Sequence, residues 1–376
     1  MQGAIAERIR MFIQSEAVLV IALLAAVASM AAFPPTPGNL AAYAEAIDLR
    51  TIGLLFCLMT VVAGFTRAGL LSQARSRLTR GRKTARQLAF LLVNISFFAA
   101  MIVTNDVALI SFVPLTLLLF RDAPARTVII ALVAQTVAAN LGSMLTPIGN
   151  PQNIYLYSTF NMSMSAFFTT IAPYGTVGYI ASVLPCLLIP ATPLASDELE
   201  AAPLNRRLLA VYAVLFIVAL GCVGRIVSWE LCTAVTIAAC LVFDRGALRH
   251  IDYSLLATFV CFFVFVGNLK HIDTLVAALS SILVGREVVV SALASQIISN
   301  VPSAIMLSGF TDNAAALLIG TNIGGLGTPV ASLASLITLR AYARAPHAHT
   351  GRYLLWFCSI NLALLALFLG MSAILR

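Results

Sequence analysis

The segments NLGSMLTPI (Asn140–Ile148) and NIGGLGTPV (Asn322–Val330) carry one pattern in two distant parts of the chain. Asn, Gly, Thr and Pro occupy the same positions in both, and Leu to Ile, Met to Leu and Ile to Val are conservative changes. Glycine and proline interrupt both apolar runs, so a helix in either run cannot continue normally. The pattern predicts two broken helices related by duplication.

Upstream of each broken helix, further elements recur in the same order. Thr104-Asn105 matches Ser299-Asn300, and IDLRTIGLLFC (Ile47–Cys57) matches IDYSLLATFVC (Ile251–Cys261). The duplication predicts a first repeat at residues 13–190, a linker with a connecting helix at 191–225 and a second repeat at 226–376.

The composition is that of an integral membrane protein. Of the 376 residues, 60% are hydrophobic and 10% charged, and mean hydropathy is +0.97, beyond the range of soluble globular chains. Apolar runs of about 20 residues, long enough for a core of about 30 Å, recur along the chain. They lack the alternation of barrel strands. We expect one all-α polytopic membrane domain over residues 1–376.

The basic residues orient the chain in the lipid bilayer. The net charge of +8 comes from short loops between apolar runs, so it indicates topology rather than a nucleic-acid partner. The loop at residues 71–87 has no acid and should be cytoplasmic, which predicts a multi-pass protein of the plasma (inner) membrane with a cytoplasmic N-terminus. The basic residues of this loop are Arg75, Arg77, Arg80, Arg82, Lys83 and Arg86.

Two apolar stretches must fold back. Leu88–Phe120 would form a helix of about 50 Å, too long for the bilayer, so it turns near Thr104. Val288–Phe310 is a second fold-back. We expect nine spans and two fold-backs, with the two repeats inverted relative to each other by the span Leu208–Val223. Each fold-back is either a re-entrant hairpin or a pair of full spans.

Enzymatic and metal-binding motifs are missing from the sequence. It has no HExxH, nucleophile elbow or GxxxxGK loop, so neither a hydrolase nor an ATP-driven pump is expected. We also expect no cofactor. The seven cysteines form no CxxC and are expected to be core residues. No metal is expected beyond a coupling Na+.

Interrupted helices within a bilayer are typical of binding sites. Their free carbonyl groups can coordinate a cation, and helix N-termini can hold an anion. Alternatively, Thr104-Asn105-Asp106 and Ser299-Asn300 only cap the following helices. Asp106 would take a proton in apolar surroundings or keep its charge beside a bound cation, unless it is an acid in an aqueous turn.

Four segments together resemble one family. TNDVAL, NLGSMLTPIGNPQN, SNVPSAIMLSGF and NIGGLGTPVASLAS are similar to motifs of the ion transporter superfamily, which includes arsenite permeases, NhaD-type sodium/proton antiporters and citrate and dicarboxylate/sodium symporters. Within this superfamily the chain resembles the short YbiR-like members. The resemblance implies a scaffold domain that often dimerises and a transport domain with two re-entrant hairpins that moves like an elevator.

The resemblance also assigns roles to residues. Asn105 and Asn300 match the asparagines of the hairpin tips, and Gly142 and Gly324 fall in the unwound segments whose carbonyls bind sodium. The dicarboxylate branch has Ser-Asn-Thr at each tip, whereas this chain has Thr-Asn-Asp and Ser-Asn-Val, which argues against a dicarboxylate. Asp106 resembles the arsenite and sodium/proton branches.

These arguments predict an ion-coupled secondary transporter, not an enzyme, that moves a small anion or oxyanion (arsenite-like or a small carboxylate) with H+ or Na+. The alternative is a Na+/H+ antiporter. The expected solute-binding residues are Thr104, Asn105, Asp106, Thr146, Ser299, Asn300 and Thr328. The expected cation-coupling residues are Asn105, Asp106, Gly142, Asn300 and Gly324.

Overall fold

The computed structural model describes residues 16–37, 39–79, 81, 83–194, 202–346 and 348–375. Over these residues the regular secondary structure is almost entirely helical, which confirms the prediction of an all-α fold. The first nine helices are α1 (Ala17–Ala32), α2 (Leu40–Ala46), α3 (Leu49–Arg67), α4 (Leu70–Thr79), α5 (Ala85–Val103), α6 (Asn105–Leu119), α7 (Ala125–Ser143), α8 (Pro151–Thr159) and α9 (Met164–Val183).

The remaining helices follow a segment that contains the undescribed residues 195–201. They are α10 (Arg206–Val223), α11 (Trp229–Phe243), α12 (Tyr253–Leu269), α13 (Asp273–Leu283), α14 (Glu287–Ile298), α15 (Asn300–Leu307), α16 (Ala314–Ile323), α17 (Leu333–Ala343) and α18 (Thr350–Ile374). Short 3-10 helices lie at Leu184–Leu188, Ala247–His250 and Pro329–Ala331.

A single strand pair exists in the described part of the chain. β1 (Lys83–Thr84) pairs antiparallel with β2 (Pro193–Leu194), with Lys83 opposite Leu194 and Thr84 opposite Pro193. Thr84 also forms a capping box with Gln87 at the start of α5. The strand pair therefore fixes the entry of α5 beside the end of the segment that follows α9.

Both repeated motifs break a helix. The first expected span after residue 128 divides into α7 and α8, and the span expected from Ala314 divides into α16 and α17. Asn150 caps α8 by accepting a hydrogen bond from the Asn153 N–H, and Pro151 follows at the position where a missing N–H costs least. Cap chemistry within an apolar run thus explains why the second half-helix begins there.

Six helices in the described residues are long and apolar enough to cross a membrane. The number is seven if α12 and α13, which meet at a bend of 107°, count as one span. The sequence predicted nine. Of the expected spans, α1, α11 and both pieces of the second broken helix, α16 and α17, are shorter than a full span. α7 of the first broken helix is among the six, and so is α5, which the sequence assigned to a fold-back. The sequence also did not predict α13 as a separate helix.

The helices pack in two groups. α3 packs against α10 and α11, while α5 packs against α7 and α6 against α17. A small cluster of α3, α10 and α11 side chains, including Val61, Phe65 and Tyr212, is separate from the main core. We call α3, α10, α11 and α12 the frame, and α5–α8 with α14–α17 the hairpin part.

Candidate functional site

Two helical hairpins turn at single residues with the same backbone geometry. In hairpin 1, Thr104 joins α5 to α6 with φ 73° and ψ 154°. In hairpin 2, Ser299 joins α14 to α15 with φ 73° and ψ 158°. This conformation favours glycine, so each tip stores about 1–3 kcal/mol of strain. The two positions that the sequence analysis paired are therefore structurally equivalent.

The tip side chains do not cap the following helices. Thr104 and Ser299 accept no capping hydrogen bond from α6 or α15. Instead, the Ser299 Oγ donates to the Ala331 carbonyl at 3.3 Å, and the Asn105 N–H donates to the Gly149 carbonyl at 3.3 Å. Gly149 and Ala331 occupy the same position relative to the two motifs. Each tip is thus bonded to the broken helix of its own half.

We expect Thr104→Gly to raise the free energy of unfolding by about 1 kcal/mol, because glycine relieves the backbone strain at the tip of hairpin 1. Ser299→Gly should stabilise less, since it also removes the Ser299–Ala331 hydrogen bond. Thermal unfolding in detergent measures both. A lower melting temperature for Thr104→Gly than for the unsubstituted protein would contradict this account of the tip.

The two threonines expected to bind solute, Thr146 and Thr328, form hydrogen bonds with backbone carbonyl groups. Thr146 Oγ1 donates to the Met101 carbonyl at 2.6 Å, and Thr328 Oγ1 donates to the Gln296 carbonyl at 3.3 Å. Met101 and Gln296 each lie three residues before a tip residue. Both hydroxyl groups therefore tie a broken helix to the arm of a hairpin.

Two asparagines connect the halves of the chain through four hydrogen bonds. Asn322 Oδ1 accepts from Asn150 at 3.0 Å, and Asn322 Nδ2 donates to Asn153 Oδ1 at 2.6 Å. Asn140 Oδ1 accepts from the Ser332 hydroxyl at 3.1 Å, and Asn140 Nδ2 donates to Ser335 Oγ at 3.3 Å. Each asparagine of one motif therefore holds the start of the half-helix that follows the other motif.

The tips of hairpin 1 (Thr104-Asn105) and hairpin 2 (Ser299-Asn300) both belong to this network. Asn105 Nδ2 donates to Asn140 Oδ1 at 3.0 Å, and Asn140 also accepts from Ser332, which follows Ala331. Ala331 is the residue that accepts from Ser299. The Asn300 side chain lies beside Gly325, where an added Cβ would approach its Nδ2 to 3.0 Å. The structure therefore brings Asn105, Ser299 and Asn300 to the broken helices, and their roles in solute and cation binding stay predictions.

The carbonyl groups of both broken segments face side-chain amides. Asn153 Nδ2 donates to the carbonyls of Thr146 at 3.0 Å, Met144 at 3.2 Å and Ser143 at 3.4 Å. Gln296 Nε2 donates to the carbonyls of Gly324 at 2.8 Å and Leu326 at 2.9 Å. The Gly324 carbonyl, expected to bind a coupling cation, is thus engaged by an amide donor, whereas the Gly142 carbonyl accepts from the Leu145 backbone N–H at 3.1 Å.

The glycine that both motifs share, Gly142 in the first and Gly324 in the second, allows close packing. A Cβ on Gly142 would lie 2.2 Å from the Phe97 carbonyl oxygen of α5. A Cβ on Gly324 would lie 2.9 Å from the Ala292 Cα and 2.7 Å from the Ser295 Oγ of α14. Each broken helix therefore contacts the first arm of its hairpin through a glycine.

Asp106 lies beside this network and lines a cavity of about 340 Å³. Its Oδ1 atom is buried and has no hydrogen-bond partner among the described residues. The cavity also contacts Thr104, Arg67 at the end of α3, and His250 and Asp252 before α12. An acid with an unsatisfied oxygen thus faces a space between hairpin 1 and the frame.

The other ionisable side chains in the described ranges do not meet the requirements of a metal site. No group of three or more His, Cys, Asp or Glu side chains in the described chain is arranged to hold a metal ion. The seven cysteines are free thiols, five of them buried, so none forms a disulfide.

Three functional candidates were missed in the sequence. Asn150 and Asn153 lie in the quoted motif, and their spacing around Pro151 is a helix-start signal. Gln296 is an amide in a mostly apolar hairpin arm, which marks it as a residue with a polar partner. The spacing around Pro151 and the amide in the hairpin arm are both visible in the sequence, but neither identifies the hydrogen-bond partner.

Comparison with known proteins places this geometry in a family. Residues 11–339 match the family model described as "Citrate transporter". An uncharacterised transporter of Methanocaldococcus jannaschii is 31% identical over 313 residues, covering 82% of this chain and 85% of that protein. The inner membrane protein YbiR of Escherichia coli is 32% identical over 303 residues, covering 78% and 80%.

Two further similarities are more distant. The rice silicon efflux transporter LSI3 is 36% identical over 135 residues, covering 35% of this chain and 27% of its own. The YdaH transporter of Alcanivorax borkumensis superposes with a TM-score of 0.51 at 15% identity, covering 87% of this chain and 85% of that one, which shows a shared fold. The matched family and the two broken helices agree: the chain belongs to the citrate transporter family within the ion transporter superfamily, and it is a multi-pass membrane transporter.

Proposed function

We propose that this protein is a secondary active transporter of a small anion or oxyanion, coupled to H+ or Na+. The observation that carries the proposal is the meeting of four helix starts in one buried network: α6 at Asn105, α8 at Asn150, α15 at Ser299 and α17 at Ser332. Ser143 links Asn150 to the Asn140 carbonyl. Helix N-termini carry partial positive charge, which suits a solute with negative or oxygen-rich groups.

Matched cavities support an elevator-like movement of the hairpin part against the frame. The Asp106 cavity contacts the end of α3 and the start of α12, whereas a second cavity of about 490 Å³ contacts the start of α3 and the end of α12. Asp252, the N-cap of α12, lines the first, and Asp48, the N-cap of α3, lines the second. Two cavities at opposite ends of the boundary suit alternating access.

The short α15 supports a re-entrant second hairpin. Its eight residues rise about 12 Å, well short of a hydrocarbon core of about 30 Å. The proposal includes the plasma (inner) membrane as location, a cytoplasmic N-terminus and a homodimer as the assembly. The name of the rice relative adds silicate to arsenite and small carboxylates as candidate solutes.

Uptake of labelled arsenite, silicate and citrate into proteoliposomes tests the proposal, with a Na+ gradient or a pH gradient applied. At least one solute should be taken up, and Asn300→Ala should lower its uptake about tenfold or more, since a hydrogen bond to a charged group contributes about 1.5–3 kcal/mol. Thr169→Ala, an exposed position on α9, is the matched control and should leave uptake unchanged. Equal uptake by Asn300→Ala and the unsubstituted protein would remove Asn300 from the site.

A Na+/H+ antiporter is the second candidate, because Asp106 has a buried, unsatisfied oxygen at a cavity. Such an acid can exchange a proton for a cation. Proteoliposomes loaded with a pH-sensitive dye distinguish the two functions. A change of internal pH on addition of NaCl alone, without solute, supports the antiporter.

A further inference from the structure

We propose that the amide groups of Asn153 and Gln296 occupy the two positions that coupling cations would take, so that the protein binds and moves its solute without sodium. This inference rests on the proposed transporter function and adds that sodium is not required for it. It starts from the carbonyl groups that each broken helix leaves without an intrahelical partner.

The two amides share one pair of equivalent carbonyl acceptors. Asn153 Nδ2 donates to Met144 O in the first half, and Gln296 Nε2 donates to Leu326 O in the second. Met144 and Leu326 stand at the same position of the repeated motif. A group that attracts several carbonyl oxygens to one point does what a small cation would do there.

The two halves use different residues for this contact. Asn153 comes from the half-helix after the break, whereas Gln296 comes from the hairpin arm before the tip. The residue equivalent to Asn153 is Ser335, and the residue equivalent to Gln296 is Met101. The equivalent carbonyls of Met144 and Leu326 are therefore satisfied in two unrelated ways, which indicates that both halves require a donor at this point.

The orientation of both amides is fixed by their other contacts. Gln296 Oε1 accepts from the Thr328 backbone N–H at 2.9 Å, and a backbone N–H can only donate. Asn153 Oδ1 accepts from Asn322 Nδ2, which also donates to the Leu318 carbonyl at 2.8 Å. Both NH2 groups must therefore face the carbonyls.

The substitutions Asn153→Asp and Gln296→Glu test the inference by replacing each NH2 donor with an oxygen. The carboxylate would then face several carbonyl oxygens, and only a cation or a bound proton could hold them together. Thermal unfolding is measured in NaCl and in choline chloride of equal ionic strength, at neutral and at alkaline pH. The alkaline condition matters because a protonated carboxyl group can imitate the amide.

The unsubstituted protein should melt at the same temperature in both salts. Each variant should melt at a lower temperature in choline chloride than in NaCl. Its melting temperature should rise by about 2 °C for each tenfold increase in NaCl concentration above half-saturation of the sodium site. Gln135→Glu is the matched control. Gln135 is also a fully buried amide, but it bonds the hydroxyl groups of Ser96 and Thr116 instead of carbonyls. Its variant should not respond to sodium.

Stabilisation of the unsubstituted protein by sodium would overturn the inference, and so would the lack of a sodium response in both variants. If one variant does not fold, the melting temperatures of the other variant and of the unsubstituted protein still decide whether the inference holds. Solute uptake with choline in place of sodium is measured separately. Uptake that requires sodium refutes the inference alone, whereas no uptake of any solute in either salt refutes the proposed function.

Discussion

Gly142→Ala should unfold the protein or lower its stability by about 3 kcal/mol or more. The added methyl group would lie 2.2 Å from the Phe97 carbonyl oxygen and 2.8–2.9 Å from the Phe97 C and Cα atoms. These are backbone atoms of α5, so no side-chain rotation can relieve the overlap. α5 and α7 would have to separate, and Thr146 would lose its contact with Met101.

Gly370→Ala is the control for this experiment. Gly370 is also a helical glycine, in α18, but a Cβ there meets no atom within 4 Å. Alanine at that position should be neutral or stabilise by about 0.5–1 kcal/mol through its higher helix propensity. Folded yield and melting temperature in detergent measure both variants. Normal melting of Gly142→Ala would show that α5 and α7 do not pack as closely as described.

The sequence predicted the places where helices break because local chemistry decides them. A run from Leu88 to Phe120 is too long for one span, and Thr104 lies at its middle. Glycine and proline in the two motifs likewise limit a helix whatever surrounds it. The structure has both breaks, and it shows Thr104 and Ser299 with the same dihedral angles.

The partners of the polar residues could not be predicted in the same way. Asn322 bonds Asn153, which lies 169 positions earlier, and Asn140 bonds Ser335, 195 positions later. Such pairs form only when the half-helices pack, so they depend on tertiary structure. The sequence therefore indicated that Gly142 and Gly324 expose carbonyls but not that Asn153 and Gln296 would engage these broken segments.

The cavity beside Asp106 is a second feature that depends on tertiary structure. Its walls come from α3, hairpin 1, α8 and the start of α12, which are far apart in the sequence. The sequence placed Asp106 at a tip and left open whether it faces apolar surroundings, a cation or water. The structure places one of its oxygen atoms in a buried position without a partner and its side chain at the cavity wall.

Asp106→Asn should abolish coupled transport, with a loss of roughly tenfold or more in uptake driven by a pH gradient. Asparagine keeps the size of the side chain but can neither bind a proton nor carry a charge. The other charged or titratable groups at the cavity are Arg67, His250 and Asp252, and they belong to the frame side. Asp106 is therefore the acid that would move with hairpin 1 in the proposed elevator-like step.

Asp122→Asn is the matched control for the loss of one carboxylate. Asp122 follows α6 in the same hairpin part, and its side chain is 79% exposed and paired with Arg121. This variant should transport like the unsubstituted protein. Uptake is compared at equal amounts of reconstituted protein, and melting temperatures show whether each variant is folded. A folded Asp106→Asn protein that accumulates solute against its gradient as well as Asp122→Asn would show that coupling does not pass through Asp106, and the unsatisfied oxygen at the cavity would then need another explanation.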